Sequence, residues 1–326
     1  MFIFANLSGR RLPLKIFILA LLALSIFGCG AQPQNRSLQA FNFSGVINGD
    51  LVSPEKAASQ GLVLIEFYRT NSEGEVSTAG FCSGTLIGPQ TVLTAAHCLD
   101  TKLLHGVTKT KIIFEVNREP NSNPRAFDVV SSSAHPLYNS ETIVIKNMQA
   151  STTHPKKKTP VLNTYSAYDH DIAILVFKGT APSEYKIAQL DTDARSDRAG
   201  LNEKVYGFGR SANYSGKKDE PLVFSSGILR SGYLQIKSDY SESKDRYFVQ
   251  QNSNQQSLCQ GDSGGPHFLS TPSGDQLIGV SSASLGATFK NGRKSCSQEG
   301  QVTKVAPFYA WIQNEEKKLL NNQEHQ

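Results

Sequence analysis

Residues 261–266 read Gly-Asp-Ser-Gly-Gly-Pro, and this short stretch decides how the rest of the 326-residue chain is interpreted. A serine flanked by glycines can sit on a tight turn, with its hydroxyl exposed and its neighbouring backbone N–H groups converging on one point. A serine hydroxyl is a weak nucleophile at neutral pH, so it needs an adjacent base and a third group that orients the base. The stretch therefore predicts a nucleophilic Ser263 and requires a histidine and an acid elsewhere in the chain.

Two other stretches can supply the histidine and the acid. His97 lies in Leu93–Cys98, after an apolar, strand-like run and beside a cysteine that can fix its position. Asp171 precedes the apolar run Ile172–Leu175, where a carboxylate can be shielded from water and still bond an imidazole. Taken singly, the three residues also fit ordinary structural roles, as a turn serine, a core histidine and a strand-end acid.

In the order His97, Asp171, Ser263, these motifs resemble those of the chymotrypsin-like (trypsin-type) serine proteases, and the resemblance runs over Val46–Ile312. It implies that His97 is general base and then acid, that Asp171 holds its tautomer, and that Ser263 attacks the carbonyl carbon. The N–H groups of Gly261 and Ser263 would form the oxyanion hole. The implied activity is hydrolysis of protein or peptide substrates through an acyl-enzyme, with no cofactor and no metal.

The five cysteines fit an oxidising compartment, where four of them can pair in three ways that spacing alone does not distinguish. The resemblance implies one of these pairings, with Cys82–Cys98 beside His97 and Cys259–Cys296 bracing the substrate pocket. Cys29 is then the cysteine left over.

The resemblance also implies a substrate pocket. Ser257 stands where trypsin-like members carry the aspartate that selects Arg or Lys, and nothing there would compensate a desolvated cation. Gly300 is expected to keep a pocket wall open. We therefore expect cleavage after uncharged residues, apolar or aromatic. The expected pocket residues are Ser257, Leu258, Ser282, Ala283, Ser284 and Gly300.

Short apolar runs separated by Gly, Pro, Ser and Asn predict strands, and many short strands indicate an all-β sandwich or barrel. The resemblance narrows this to two six-stranded antiparallel (Greek-key) β-barrels with the active site between them. The spacing of Val305, Phe308, Tyr309 and Ile312 predicts one long C-terminal α-helix. The predicted strands are Leu62–Tyr68, Thr85–Ile87, Thr91–Thr94, Lys111–Val116, Ile172–Phe177, Lys204–Phe208, Gly227–Leu234, Tyr247–Gln250 and Gln276–Ser281.

Four segments are expected along the chain. Residues 46–185 would form the first barrel, which carries His97 and Asp171, and residues 186–326 the second barrel with Ser263 and the helix. The lysine-rich segment 140–166 has few large apolar residues and is expected to be an exposed insertion in the first barrel. Residues 1–28 and 29–45 would be a signal peptide and a pro-segment or tether.

The signal peptide is predicted from Arg10, Arg11 and Lys15, which precede the apolar run Ile16–Phe27. This run has 12 residues, fewer than the roughly 20 that span a bilayer. Ile26–Cys29 also resembles the lipobox of bacterial lipoproteins, so Cys29 is a candidate for lipidation; the alternative is a simple signal with a chance cysteine. The protein is therefore expected outside the cytoplasm, extracellular or at the outer membrane and periplasm, with a membrane contact only through lipid on Cys29.

Residues 46–49 read Val-Ile-Asn-Gly and resemble the start of mature family members. The resemblance implies a zymogen in which cleavage between Gly45 and Val46 frees an α-amine that pairs with Asp262. Because Gly45 is neither Arg nor Lys, the activating protease would not have trypsin specificity.

Charge and motif order bear on the alternative functions. The net charge is +5, and residues 1–28 contribute +3 of it, which leaves +2 for the rest of the chain and no expectation of a nucleic-acid partner. A monomer is expected. A catalytically silent, protease-like binding protein at the cell surface is the main alternative, although such proteins usually lose a catalytic residue. An esterase or lipase is disfavoured, because its motifs follow the order serine, acid, histidine.

Overall fold

The structure is a computed structural model that describes residues 46–118, 124–150, 158–194, 197–212, 227–237, 245–251, 254–286 and 295–324. Of residues 141–150 and 158–167 it describes the backbone. The predicted signal peptide, the tether and Cys29 lie outside these ranges. Among the described residues, no helix combines the length and the apolar character needed to cross a membrane.

The described residues form the following elements in chain order: β1 (Asp50–Leu51), α1 (Pro54–Gln60), β2 (Leu62–Thr70), β3 (Val76–Gly88), β4 (Thr91–Thr94), β5 (Val107–Ile113), β6 (Ala126–Ala134), β7 (Asn139–Ala150), β8 (Lys158–Asp169), β9 (Ala173–Phe177), β10 (Gln189–Leu190), β11 (Asn202–Gly207), β12 (Arg230–Ile236), β13 (Arg246–Gln250), β14 (Pro266–Thr271), β15 (Gly274–Leu285), β16 (Glu299–Lys304) and α2 (Tyr309–Glu324). Short 3₁₀ turns cover Ala96–Leu99 and Ala306–Phe308.

The first barrel closes in the order β2-β3-β4-β9-β6-β5, with antiparallel pairing throughout. All residues of β4 and β9 are buried, which explains why both strands have continuous apolar or small side chains rather than an alternating pattern. Phe114 packs edge-on against Phe127 and Tyr185, at 5.3 and 4.8 Å between ring centroids. Large aromatic side chains thus fill part of the core of this barrel.

The second barrel closes in the order β12-β11-β14-β15-β16-β13, since β13 pairs back onto β12. The strands β1 and β10 extend this sheet on the outside of the six. Its core contains Val205, Leu234, Tyr247, Ile278 and Val302, all of them buried. The prediction of two six-stranded antiparallel barrels with a C-terminal helix is confirmed.

Each end of the described chain contacts the barrel formed by the other half. The N-terminal strand β1 pairs with β12 of the second barrel, and α2 packs against β6 and β9 of the first. Ile312 of α2 is fully buried in the core of the first barrel. The limits 46–185 and 186–326 stay a prediction. The two end segments connect the barrels, because each contacts the barrel formed by the other half of the chain.

Helix α1 was not predicted from the sequence, although it has clear boundary signals. The Ser53 hydroxyl accepts a hydrogen bond from the Lys56 N–H at 3.2 Å, and Pro54 occupies the first helical turn. Gly61 ends the helix in a left-handed conformation, φ 65°. At seven residues the helix is too short to show an apolar period, so periodicity missed it.

The segment 140–166 contains most of a β-hairpin. Strands β7 and β8 pair in register from Asn139 opposite Asp169 to Ala150 opposite Lys158. The hairpin returns the chain to the first barrel directly before Asp171. The structure describes the backbone of residues 141–150 and 158–167 but not their side chains, so the expected exposure of this segment stays a prediction.

The two disulfides are Cys82–Cys98 and Cys259–Cys296, the pairing that the resemblance implied. The first joins β3 to the turn that follows β4, and its two cysteines are 16 positions apart in the sequence.

Replacing both Cys82 and Cys98 by serine is expected to lower the free energy of unfolding by about 3 kcal/mol, because the unfolded chain regains the entropy of the loop that this disulfide closes. Urea denaturation measures this change, with Cys29→Ser as the control that leaves the unfolding free energy the same. A loss below about 0.5 kcal/mol for the double variant would contradict the account.

Candidate active site

The carboxylate of Asp171 lies at the centre of the site and is fully buried. It accepts hydrogen bonds from the His97 backbone N–H and from His97 Nδ1, both at 2.8 Å, and from the Ser282 hydroxyl at 2.5 Å. Each carboxylate oxygen therefore has a partner, as a buried charge requires.

The pairing of β4 with β9 explains why His97 and Asp171 meet. Thr94, the last residue of β4, lies opposite Ala173, so the residues just after β4 and just before β9 leave the ladder at the same end. His97 sits in the short turn after β4, and Asp171 stands two residues before β9. His170 has φ 52°, an uncommon left-handed conformation for a non-glycine residue, and it turns the chain out of β8 toward Asp171.

The loop that carries Ser263 is held by backbone hydrogen bonds to β3 and β15. The Ser83 N–H donates to the Ser263 carbonyl at 2.7 Å, and the Gly264 N–H donates to the Ser281 carbonyl at 2.8 Å. A Cβ atom on Gly264 would lie 2.0 Å from Thr94 Oγ1 and 2.4 Å from the Ser83 carbonyl oxygen. The loop thus packs directly on the end of β4, three residues before His97.

Ser263 is half-buried, and its hydroxyl forms no hydrogen bond with His97 in the part of the chain that the structure describes. The other ring nitrogen of His97, Nε2, lies 3.9 Å from the Cys98 sulfur. Hydrogen bonds between a nucleophile and its base are often long in ligand-free sites and shorten when substrate binds.

Two backbone donors near Ser263 stay open. The N–H groups of Gly261 and Ser263 donate to no other described residue, while the neighbouring Asp262 and Gly265 N–H groups both have acceptors. Gly261 has φ 95°, and a Cβ atom there would lie 2.2 Å from the Phe81 ring. Only glycine fits this position, and its conformation leaves the two N–H groups available to an oxygen atom of a ligand.

Asp262 points away from this loop into the second barrel and is fully buried. Its carboxylate accepts from the backbone N–H groups of Gly209 and Cys259 at 2.8 Å and of Val46 at 3.2 Å. Burial raises the pKa of Asp262 to about 7, although these three hydrogen bonds act in the opposite direction. A Cβ atom on Gly207 would lie 2.1 Å from the Asp262 carboxylate, so glycine is required there as well.

The structure brings several of the expected pocket residues together. Gly300 pairs with Ser284 across β15 and β16, and a Cβ atom on Gly300 would lie 3.1 Å from Leu258. Ser257 and Leu258 are both buried. Gln251 and Val249 also pack on Gly300, since Gln251 Nε2 and Val249 Cγ2 would each lie 2.8 Å from that Cβ.

Sequence reasoning missed two residues that contact the site. Gln301 is buried, and its Nε2 donates to the Tyr168 carbonyl at 2.7 Å and to the Ser282 hydroxyl at 3.3 Å. The Tyr168 ring stacks on His97, with centroids 4.8 Å apart and planes 14° apart. A glutamine inside a buried strand, and a tyrosine three residues before the predicted acid, were the available signals.

Among the described residues, one group of side chains has the spacing of a metal site: Cys82, His97 and Cys98. The two sulfurs are joined in a disulfide, so neither is available as the thiolate that a metal ion binds. These residues do not fit a metal centre.

The double barrel is the architecture of the chymotrypsin-like serine endopeptidases, and it carries a histidine bonded to a buried acid and a glycine-flanked serine on a neighbouring loop. The model of the trypsin family matches residues 64–312, and the chain belongs to that family. Members of the family act on protein or peptide substrates.

Two solved structures share the fold. One is neuropsin, a serine protease expressed in the limbic system of mouse brain, with 19% identity, coverage of 83% of this chain and 99% of that chain, and a TM-score of 0.53. The other is HL collagenase, with 18% identity, coverage of 83% and 98%, and a TM-score of 0.54. At this identity the likeness supports the barrel architecture alone.

The close fit of the Ser263 loop can be tested with two glycines of equal conformation. Gly264 and Gly200 have φ 78° and 80°, but a Cβ atom on Gly200 has no described atom within 4 Å. Alanine at Gly200 is expected to cost about 1–2 kcal/mol of unfolding free energy, from backbone conformation alone. Alanine at Gly264 is expected to cost more than about 3 kcal/mol, because Thr94 and Ser83 must also move. Equal losses in chemical denaturation would show that the loop does not press on β4.

Proposed function

We propose that this protein is an exported serine endopeptidase that uses Ser263, His97 and Asp171 to cleave peptide bonds through an acyl-enzyme. The observation that carries the proposal is the fully buried Asp171 carboxylate, which holds His97 Nδ1 at 2.8 Å on the turn against which the Ser263 loop packs.

The hydrogen bonds around Asp171 support one tautomer of His97. A carboxylate only accepts, so the proton between the two groups belongs to His97 Nδ1 and leaves Nε2 as a base. Ser282 and the backbone N–H of His97 fix the carboxylate from two further directions. The imidazole is thus oriented before substrate arrives, and Tyr168 limits its rotation by stacking on one face.

In the proposed reaction, His97 Nε2 takes the Ser263 hydroxyl proton as Oγ attacks the substrate carbonyl carbon. The negative charge that forms on the substrate oxygen is stabilised by the open N–H groups of Gly261 and Ser263. His97 then gives its proton to the leaving amine, and the acyl group stays on Ser263. A water molecule repeats the sequence, with His97 as base again, and releases the acid product.

We also propose that cleavage between Gly45 and Val46 activates the enzyme. In the uncut chain the Val46 nitrogen near Asp262 is an uncharged amide, and burial of the carboxylate is poorly compensated. Cleavage would replace that amide by an ammonium group. Its attraction to the buried Asp262 carboxylate would stabilise the loop that carries Ser263. If Cys29 carries lipid, the same cut separates the catalytic domain from its anchor. N-terminal sequencing of active protein that begins elsewhere than Val46 would reject this scheme.

The proposed substrates have an uncharged residue before the scissile bond. Ser257 places a neutral hydroxyl where a cation would need a carboxylate, and Leu258 beside it is apolar. Export is supported by the two disulfides, since such bonds persist in oxidising compartments.

Labelling with a serine-directed fluorophosphonate tests the proposed nucleophile. Protein processed at Val46 is expected to react at Ser263, because Ser263 is the serine whose hydroxyl His97 would activate. Ser263→Ala should abolish the adduct in intact-mass measurements, and His97→Ala should slow its formation at least about 100-fold. Ser59→Ala, which removes a hydroxyl on α1, is the control that labels normally. Absence of Ser263-dependent labelling in correctly processed protein would favour the catalytically silent binding protein.

The pH dependence of stability tests the proposed activation. In uncut protein the folded pKa of Asp262, about 7, exceeds its ordinary value near 3.8, so its contribution is fully present below pH ~3.8 and is lost as the pH rises through ~7. The new ammonium group should favour the ionised acid and reduce that loss. We expect cleavage to raise the unfolding free energy more at pH 8 than at pH 5, measured in Ser263→Ala protein to prevent self-digestion. The same pH dependence in cut and uncut protein would contradict the ion pair, and Asp262→Asn should remove the difference.

A further inference from the structure

We propose that Gln251 selects the substrate and that the enzyme prefers a side chain ending in an uncharged carboxamide, glutamine or asparagine, before the scissile bond. This inference rests on the proposed protease function and deepens it. It replaces the sequence-based expectation of apolar or aromatic residues with a particular polar class.

Gln251 lies among the expected pocket residues. It follows β13 directly and is only 4% exposed. A Cβ atom on Gly300 would lie 2.8 Å from Gln251 Nε2 and 3.1 Å from Leu258 Cδ1. Gly300 pairs with Ser284, two residues beyond the Ser282 that bonds Asp171. The carboxamide of Gln251 therefore contacts residues of the expected pocket, next to the part of β15 that carries Ser282 and Ser284.

The hydroxyl groups of the serines in and near the expected pocket already have partners. Ser282 donates to Asp171, and Ser281 shares a 2.9 Å hydrogen bond with His267 Nε2. Ser257 donates to the Gln255 carbonyl at 3.4 Å, and Ser284 donates to Gln251 Oε1, also at 3.4 Å. These serines offer a substrate little free hydrogen-bonding capacity.

The amide nitrogen of Gln251 differs from them, because it is buried and has no acceptor among the residues that the structure describes. A buried donor without a partner costs free energy, and native proteins rarely keep one unless a ligand or water satisfies it. The chemistry that satisfies this donor is an oxygen acceptor carried by a side chain that enters the pocket.

A carboxamide matches Gln251 better than other side chains. Its oxygen accepts from Nε2, and its own NH₂ group can donate to Oε1, which has only the long bond from Ser284. This reciprocal pairing also holds if the oxygen and nitrogen of Gln251 are interchanged. A carboxylate would bring a charge without a cation among the described pocket residues, and an apolar side chain would leave the donor buried and unpaired.

The test uses processed enzyme and peptides that differ only in the residue before the scissile bond: Gln, Asn, Glu, Leu, Ala and Lys. We expect kcat/KM for Gln or Asn to exceed that for Leu at least about tenfold, the usual effect of one paired buried donor. Gln251→Leu should reverse this order. Gln251→Glu, which keeps the shape, should lower cleavage after Gln and raise cleavage after Lys. Gln235→Leu, an exposed glutamine of β12, is the control that leaves the order unchanged.

Several results would overturn the inference. An unchanged order in both Gln251 variants would show that this side chain does not meet the substrate. A preference for Ala would show that Gln251 fills the pocket instead of lining it. Ser263-dependent fluorophosphonate labelling without a carboxamide preference would remove this inference and leave the proposed function intact.

Absence of labelling at Ser263 would contradict the proposed function. Binding of product peptides would then test the role of Gln251 by itself. Calorimetry of Ser263→Ala protein should show product peptides ending in Gln binding about tenfold more tightly than those ending in Leu. Equal affinities would contradict the role of Gln251.

Discussion

A single buried carboxylate, that of Asp171, determines the arrangement of the site. Taking a charge out of water is expensive unless each oxygen is paired, so the His97 turn and Ser282 must sit where the structure has them. His97 and Asp171 belong to the first barrel, through β4 and β9, whereas Ser282 belongs to β15 of the second. The hydrogen bond from Ser282 thus joins the barrels at the point where the reaction is proposed to occur, and Gln301 braces it from the neighbouring strand.

The second barrel uses buried polar groups of its own to hold the Ser263 loop. His267 and Glu203 are fully buried and bonded to each other, and His267 Nε2 also bonds the Ser281 hydroxyl. The Ser281 backbone in turn accepts from Gly264 and donates to the Gly265 carbonyl, each at 2.8 Å. On the far side of the loop, Asp262 is held by Gly209, Cys259 and Val46. The proposed nucleophile is therefore placed by the barrel core as well as by its own glycines, and Val46 contacts its loop through Asp262.

The sequence predicted the fold because motif order and short apolar runs are strong signals, and both the fold class and the family are confirmed. Strands β6 and β16 were missed: β6 contains three consecutive serines, and β16 is buried while its sequence includes Glu299, Gln301 and Lys304. Both strands take their place in a barrel by pairing with β9 and β15, which a local pattern does not show. The same reason hid Gln251 and Gln301, since a polar side chain acquires a role in a site only through neighbours distant in sequence.

Nitrogen-15 NMR of the His97 ring tests the central claim most directly, because it reports where the imidazole proton lies. For the neutral imidazole in protein cut at Val46, the account predicts a proton on Nδ1, bonded to Asp171, and a bare Nε2. Asp171→Asn should move the proton to Nε2, since the new amide can donate to Nδ1, and Ser282→Ala should loosen the bond without moving it. A ring with its proton on Nε2 in the unaltered protein would contradict the account, because His97 could not then act as base toward Ser263.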